Sequence, residues 1–230
     1  MKIALGSMFR DSTGYLDRYF GQVGHLRSVL ESHGHSLKLF LAEGDSEDRT
    51  WDRLQVYLSD GGWDHALLKR EHGSKHPWHW SDVPERWKAI SWVCNGIIEC
   101  VQGDHAVDAF IYVESDLGWD SQTMIKLLSH LADVPSVAPM AFAGDNFYDL
   151  WGHIGMDGKH FGPFPPYHPS LVPGQLTEIY SAGSCILMRG DVVRSGVRWD
   201  SIDHCRGLGR SIREAGYSLW IDPDSRVVHY

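Results

Sequence analysis

The sequence predicts a single α/β domain of Rossmann-like type, in which helices flank a mostly parallel central sheet. Short apolar runs alternate with amphipathic segments over residues 1–140, and this alternation is typical of a parallel sheet covered on both faces. The chain has 230 residues, a length that fits one sizeable domain. It contains no internal repeat, linker or low-complexity tract that would divide it.

Composition and charge exclude several classes of protein. Hydrophobic residues make up 43% of the chain, which is too apolar for a disordered protein. No apolar run approaches the roughly 20 residues of a membrane span, and the N-terminus turns polar too early for a secretory signal. The formal net charge of -9 disfavours non-specific coating of nucleic acid. Without a Cys-x-x-Cys pair, we expect buried thiols in a reducing cytoplasm.

The elements follow in order from the N-terminus. The first apolar run leads into Gly6 and Ser7, and the next segment places Leu16, Tyr19 and Val23 at helical spacing. The predicted strands before residue 141 are 3–5, 37–41, 66–68, 109–113 and 134–140, and the predicted helices are 15–31, 48–58, 85–101 and 123–131. Because strands and helices alternate, consecutive strands are expected to run parallel.

Residues 141–180 break this alternation. They contain five prolines and many aromatic side chains, and so irregular a stretch inside a compact domain is typical of a functional loop. Beyond it, the sequence predicts a strand at 185–188, a helix at 205–214, and closing strands at 218–221 and 226–229.

Acidic residues follow three of the predicted strands. Asp11 comes after the first, Glu43 and Asp45 after the second, and Glu114 and Asp116 after the fully apolar run at 109–113. Ligands of open parallel sheets bind at the carboxyl ends of the strands, so these side chains should share one edge. Carboxylates gathered there favour a divalent cation such as Mg²⁺ or Mn²⁺. For Asp45 taken alone, a helix cap explains the residue equally well.

Several short motifs occur in a fixed order along the chain. They are an acidic turn at 42–50, a helix carrying Lys88 and Asn95, the sequence Glu114-Ser115-Asp116, Asp203, an Ala-Gly-Tyr helix end at 215–217, and Val227-Val228-His229. This ordered set resembles the glycosyltransferases of the A-type fold, and is similar to their large inverting family 2. Glu114 replaces the first Asp of that family's Asp-x-Asp motif.

The resemblance implies a site for a nucleotide-diphosphate sugar and a metal ion. Carboxylates would hold the base and ribose through charge-assisted hydrogen bonds, and Mn²⁺ or Mg²⁺ at Asp116 and His229 would bridge the diphosphate. The residues it assigns to the nucleotide sugar are Arg10, Asp11, Glu43, Asp45, Lys88, Asn95 and Glu114.

The catalytic base is where the sequence departs from the family. An inverting enzyme needs a base to deprotonate the acceptor hydroxyl, and the family's spacing points to His204 and Cys205, which do not supply the expected Glu-Asp pair. Asp203 lies one residue away and is our candidate. The stereochemistry of transfer stays open, because a second resemblance, to retaining mannosyltransferases of fungal mannan synthesis, covers 147–152 and 180–184.

That second resemblance implies acceptor contacts at Trp151, Ser181 and Gly183, with glycine allowing close approach of the backbone. The acceptor could be a glycan, a small molecule or a modified DNA base. A DNA acceptor would require a basic patch, which basic residues around 69–88 such as Lys75 and Arg86 could supply. We therefore expect a nucleotide-sugar half at 1–140 and an acceptor half at 141–230. The alternatives are a nucleotidyltransferase, which the glycine-poor loop after the first strand disfavours, and a non-catalytic sugar-binding module.

Overall fold

The computed structural model describes residues 1–73, 84–202 and 204–230, with no account of the side chains of residues 204 and 205. In these ranges the strands are β1 Lys2–Phe9, β2 Ser36–Glu43, β3 His65–Lys69, β4 Ala109–Val113, β5 Leu117–Gly118, β6 Ser136–Ala143, β7 Asn146–Phe147, β8 Ile154–Gly155, β9 Thr177–Ser181, β10 Cys185–Arg189 and β11 Leu219–His229. The helices are α1 Leu16–Ser32, α2 Thr50–Asp60, α3 Pro84–Gly103, α4 Ser121–His130, α5 Gly190–Arg194 and α6 His204–Glu214.

The strands form one sheet in the order β3-β2-β1-β4-β10-β6-β11-β9-β8, with β5 added to β11 and β7 to β6. The first four strands in this order run parallel to one another, as do β6 and β11. Between the two parallel groups, β10 runs antiparallel to both neighbours. The structure confirms the predicted fold class, an α/β domain with a mostly parallel sheet flanked by helices.

Alternation along the strands explains the two helical layers. Successive residues of a strand point to opposite faces, so Leu5 packs in one core cluster with Tyr19 of α1, whereas Ala4 packs in the other with Ile97 of α3. Both faces of the central strands are therefore buried, which is why those strands read as continuous apolar runs.

The predicted helices before residue 140 begin and end close to their observed bounds, but several strands differ. β1 continues past Gly6 because Phe9 still pairs in register with Glu43 of β2. The two predicted closing strands are one strand, β11, which has an irregularity between Asp222 and Arg226. The strands β5, β7, β8 and β9 and the helix α5 were not predicted, because most are too short to show a period.

Among the described residues, no helix combines the length and apolar character that crossing a membrane requires.

Glycine at position 6 offers a test of this packing. A Cβ there would lie 2.6 Å from Ile97 Cγ2 and 2.7 Å from Phe110 Cε2, whereas nothing lies within 4 Å of a Cβ at Gly21 in α1. We expect Gly6→Ala to lower the free energy of unfolding by about 1–3 kcal/mol through overpacking. The matched Gly21→Ala should raise it by about 0.5–1 kcal/mol. Urea denaturation measures both, and equal effects would contradict the close approach of α3 to β1.

Candidate active site

A cleft of about 610 Å³ lies at the carboxyl ends of β1, β2 and β4, the edge of a parallel sheet where ligands bind. One wall comes from the loop after β1 and from Gly44 and His72. The opposite wall comes from residues 148–151 and Ser184, and the first turns of α3 close one side. Glu114, Ser115, Asp116 and His229 also line it.

Asp11 joins the loop after β1 to the turn after β2. Its Oδ1 accepts hydrogen bonds from the backbone N–H groups of Glu47 at 2.7 Å and Asp48 at 3.4 Å, and its own N–H donates to Ser46 Oγ. Asp11 has a φ of 47°, a left-handed conformation that Asp tolerates better than most residues. Arg10 Nε lies 3.6 Å from Asp11 Oδ2. Arg10 and Asp11, both predicted site residues, line the cleft.

Glu43 and Asp45 support the cleft wall from either side of Gly44. Glu43 is buried; its Oε1 accepts from the Ser46 N–H at 2.7 Å, and its Oε2 accepts no hydrogen bond within the described residues. Asp45 Oδ2 accepts from the His72 N–H at 3.1 Å and lies 3.0 Å from His72 Nδ1. Burial lowers the pKa of His72, and the charge of Asp45 opposes that effect. His72 lines this wall, although it was not among the site residues predicted from the sequence.

Lys88 and Asn95 do not reach the cleft, contrary to the sequence prediction. Both line a separate groove of about 620 Å³ on another side of α3. The Asn95 amide donates to the Trp199 carbonyl at 2.9 Å and accepts from the Trp199 N–H at 2.8 Å, so it ties α3 to the loop after α5. Arg86, Ile90 and Val93 form the cleft side of this helix.

Asp116 and His229, which the resemblance assigns to a metal ion, lie in contact in the cleft. Their contact follows from the antiparallel pairing of β5 with β11, which sets Leu117 opposite His229. Asp116 Oδ2 lies 3.2 Å from His229 Nε2. Asp116 Oδ1 is buried and accepts no hydrogen bond in the described part of the chain. A carboxylate oxygen suits Mn²⁺ or Mg²⁺, and an imidazole nitrogen is a common metal ligand.

Glu114 lines the cleft and has a strongly raised pKa. Burial raises the pKa of Glu114 to about 8, and the negative charges of Asp116 and Asp149 add to this rise. A hydrogen bond with Ser184 and the charge of Arg86 oppose it. Carboxyl groups gathered in this way suit a divalent cation, which prefers oxygen ligands. The described residues nevertheless contain no group of three or more His, Cys, Asp or Glu side chains arranged to hold one.

Asp149 is a cleft residue that the sequence analysis did not single out. Its Oδ2 accepts from the Ser184 N–H at 2.9 Å, its Oδ1 accepts from the Gly152 N–H at 3.0 Å, and His153 Nδ1 lies 3.3 Å away. A Cβ at Gly183 would collide with this carboxylate. Position 183 therefore requires glycine because the Asp149 side chain packs against it. The sequence-based expectation was that glycine would let the substrate approach the backbone there.

The other two predicted acceptor residues lie in different surroundings. Trp151 lines the cleft with 38% of its surface exposed, and its ring is parallel to that of Trp87 at 6.2 Å between centroids. The Arg206 guanidinium lies 4.3 Å from the centre of the Trp151 ring. Ser181 is fully buried and donates to the Gly152 carbonyl at 2.7 Å, so it braces the loop and does not face the cleft.

Two sequence predictions fall on residues outside the described ranges. Asp203, the candidate base, and Lys75, of the basic set, both lie there. The neighbouring Asp200 lines the separate groove beside α3, where Arg210 binds it at 2.6 Å.

No protein-family model and no curated protein matches the sequence. Several solved structures do match this chain in fold. The mannosyltransferase PcManGT from Pyrobaculum calidifontis, solved with GDP-Man and Mn²⁺, superposes with a TM-score of 0.60 at 12% identity, over 98% of this chain and 56% of that one. S. aureus TarS 1-349 with UDP-GlcNAc gives 0.63 at 10% identity, over 99% and 58%.

The chain has an A-type glycosyltransferase fold. Another crystal structure of S. aureus TarS, at a TM-score of 0.64 and 9% identity, has the same fold over 99% of this chain and 36% of its own. This chain therefore spans less than two thirds of the length of each of these proteins. Identities this low establish the shared backbone fold alone.

In this A-type glycosyltransferase fold, Asp149 should hold residues 148–152 against Ser184. We expect Asp149→Asn to lower the free energy of unfolding by about 2–4 kcal/mol, because it brings an amide against buried N–H groups and leaves His153 without its carboxylate. The matched control is Asp157→Asn, whose exposed carboxylate contacts His168 at 3.1 Å. That change should cost clearly less. Similar losses in urea denaturation would contradict a structural role for Asp149.

Proposed function

We propose that this protein transfers a hexosyl or pentosyl group from a nucleotide-diphosphate sugar to an acceptor hydroxyl, with Mn²⁺ or Mg²⁺ bound at Asp116 and His229. The observation that carries the proposal is the contact between these two side chains, at 3.2 Å, in the cleft at the strand ends. The fold supports it, because PcManGT was solved with GDP-Man and Mn²⁺ and TarS with UDP-GlcNAc.

The nucleotide would lie along the wall formed by the ends of β1 and β2. Arg10, Asp11 and His72 offer charged and polar groups to a base, ribose or phosphate there. Glu43 and Asp45 would act by holding the turn on which Gly44 sits. A Cβ at Gly44 would lie 2.7 Å from Val93 Cγ2, so this narrow point admits only glycine without displacing α3.

The diphosphate would lie between Asp116 and the first turn of α3. When bound, a divalent cation supplies Lewis-acid stabilisation of the negative charge on the departing diphosphate. Asp116 and His229 would hold it, and Glu114 lies close enough for its pKa to respond to Asp116. Arg86 adds a fixed positive charge on the cleft side of α3, where it can bind phosphate oxygens directly.

The acceptor would enter past Tyr148, Leu150 and Trp151, which line the cleft and are partly exposed. This assigns donor binding mainly to residues 1–140 and acceptor binding to residues 141–230. Asp203 remains our candidate for the base that deprotonates the acceptor hydroxyl. The reduced thiols of Cys94, Cys100 and Cys185 support the cytoplasm as the compartment we propose.

The first prediction from this proposed function concerns the metal pair, Asp116 and His229. With a panel of UDP-, GDP- and TDP-sugars and Mn²⁺, the wild-type chain should release sugar to an acceptor or to water. Asp116→Asn and His229→Ala should each lower this rate roughly 100-fold or more, because charge on the diphosphate is then less stabilised. The control is Asp133→Asn, an exposed carboxylate that does not line the cleft. Chromatography of the released nucleoside diphosphate measures the rate.

Three outcomes would count against this function. Full activity of Asp116→Asn would remove the metal pair from the reaction. Pyrophosphate release from a nucleoside triphosphate would instead identify a nucleotidyltransferase. Nucleotide-sugar affinity that EDTA leaves unchanged, without any turnover, would identify a non-catalytic binding module.

The second prediction separates the two sides of α3. Arg86 lines the cleft and Lys88, two residues later, lines the separate groove. Arg86→Ala should weaken binding of the nucleotide diphosphate roughly 10- to 100-fold, because a hydrogen bond to a charged group is lost. Lys88→Ala should leave that affinity unchanged. Calorimetric titration with UDP and GDP measures both, and a larger effect at Lys88 would restore the sequence-based assignment.

A further inference from the structure

We propose that Tyr148 is a positioning residue for the metal pair, because its ring holds the His229 imidazole in the orientation that keeps Nε2 beside Asp116. This inference rests on the proposed function, in which Asp116 and His229 bind the cation. In this role Tyr148 would not bind the cation itself.

The stacking geometry is the main evidence. The Tyr148 and His229 rings lie 4.0 Å apart between centroids and 16° from parallel. A stacked contact of this kind restricts rotation of the imidazole about its side-chain bonds, and contacts between aromatic rings are favourable. With the ring so placed, His229 Nε2 lies 3.2 Å from Asp116 Oδ2. Residues that orient a metal ligand in this way commonly set the affinity of the site.

Tyr148 itself stands on a fixed segment of backbone. Its N–H donates to the Ala141 carbonyl at 2.8 Å, and the preceding Phe147 pairs with Phe142 across β7 and β6. The following residue is Asp149, whose carboxylate accepts from Ser184. Anchors on both sides hold the Tyr148 ring where His229 can stack on it, so the orientation is built before any ligand binds.

The other side of the metal pair is held by Arg18 of α1. Its guanidinium donates to the Asp116 carbonyl at 2.6 Å and lies 4.2 Å from the centre of the Tyr230 ring. The Tyr230 ring fills the space where a Cβ at Gly118 would stand. Arg18 thereby ties the backbone of Asp116 to the residue after His229. The backbone contacts do not restrict rotation of the His229 imidazole, and the Tyr148 ring then restricts it.

Exposure argues against simple core packing. Tyr148 keeps 41% of its surface exposed and lines the cleft, so its ring contributes less to the hydrophobic core than a buried aromatic does. A substitution there should change the site more than the fold. This difference makes the role testable.

The test measures Mn²⁺ affinity of the full chain by electron paramagnetic resonance, with Mn²⁺ alone and then with GDP or UDP. Tyr148→Ala should weaken Mn²⁺ binding about 10-fold or more, as loss of a supporting residue around a metal commonly does. Tyr148→Phe keeps the stack and should stay within about twofold of wild type. Phe164→Ala, at an aromatic residue that is 63% exposed and does not line the cleft, is the control and should change nothing.

A second readout needs no metal. In the metal-free chain, the carbon-bound protons of the His229 imidazole should show an upfield ring-current shift in NMR spectra. The shift should persist in Tyr148→Phe and disappear in Tyr148→Ala. Thermal unfolding of each variant checks that the fold is retained.

The outcomes separate this inference from the proposed function. Wild-type Mn²⁺ affinity in a folded Tyr148→Ala chain would overturn the positioning role and leave the metal pair standing. A Tyr148→Phe chain as weak as Tyr148→Ala would also overturn it, because the hydroxyl and not the stack would then matter. A wild-type chain without Mn²⁺ affinity would overturn the metal role of Asp116 and His229, and the role of Tyr148 with it.

Discussion

The candidate site depends on one structural constraint, the antiparallel pairing of β5 with β11. It sets Leu117 opposite His229, while β6 holds β11 in place by parallel pairing of Val228 with Phe142. Two segments far apart in the sequence thereby deliver a carboxylate and an imidazole to the same point. Without that pairing, Asp116 would face Glu114 and Asp149 with no nitrogen ligand beside it.

Electrostatics then links the site to the stability of the fold. Burial raises the pKa of Glu114 to about 8, and the negative charges of Asp116 and Asp149 add to this rise. Arg10 and Arg86 also line the cleft and bring positive charge to it. A ligand that brings a cation relieves the repulsion only in the folded chain. Binding should therefore stabilise the fold by mass action.

Much of the fold and part of the site could be predicted, because short patterns of neighbouring residues in the sequence indicate them. Apolar runs that end in acidic residues locate the strand ends, and Asp11, Glu114 and Asp116 follow from them. Lys88 did not reach the cleft because a helix turns by about 100° per residue, so that two residues of the same helix can face different sides. Asp149 lies in a segment without a period, and its partner Ser184 is distant in the sequence.

Although Asp149 lines the cleft, it is poorly suited to be the base that deprotonates an acceptor hydroxyl. Burial alone would raise its pKa, but the adjacent His153 ring and the backbone hydrogen bonds from Ser184 and Gly152 outweigh burial and lower it. Those bonds also occupy its oxygens, which leaves little capacity to accept a proton from a substrate. A carboxylate so engaged orders the backbone around Gly183. In the transfer that we propose, the proton would go to another group, and Asp203 is the residue that the family resemblance selects.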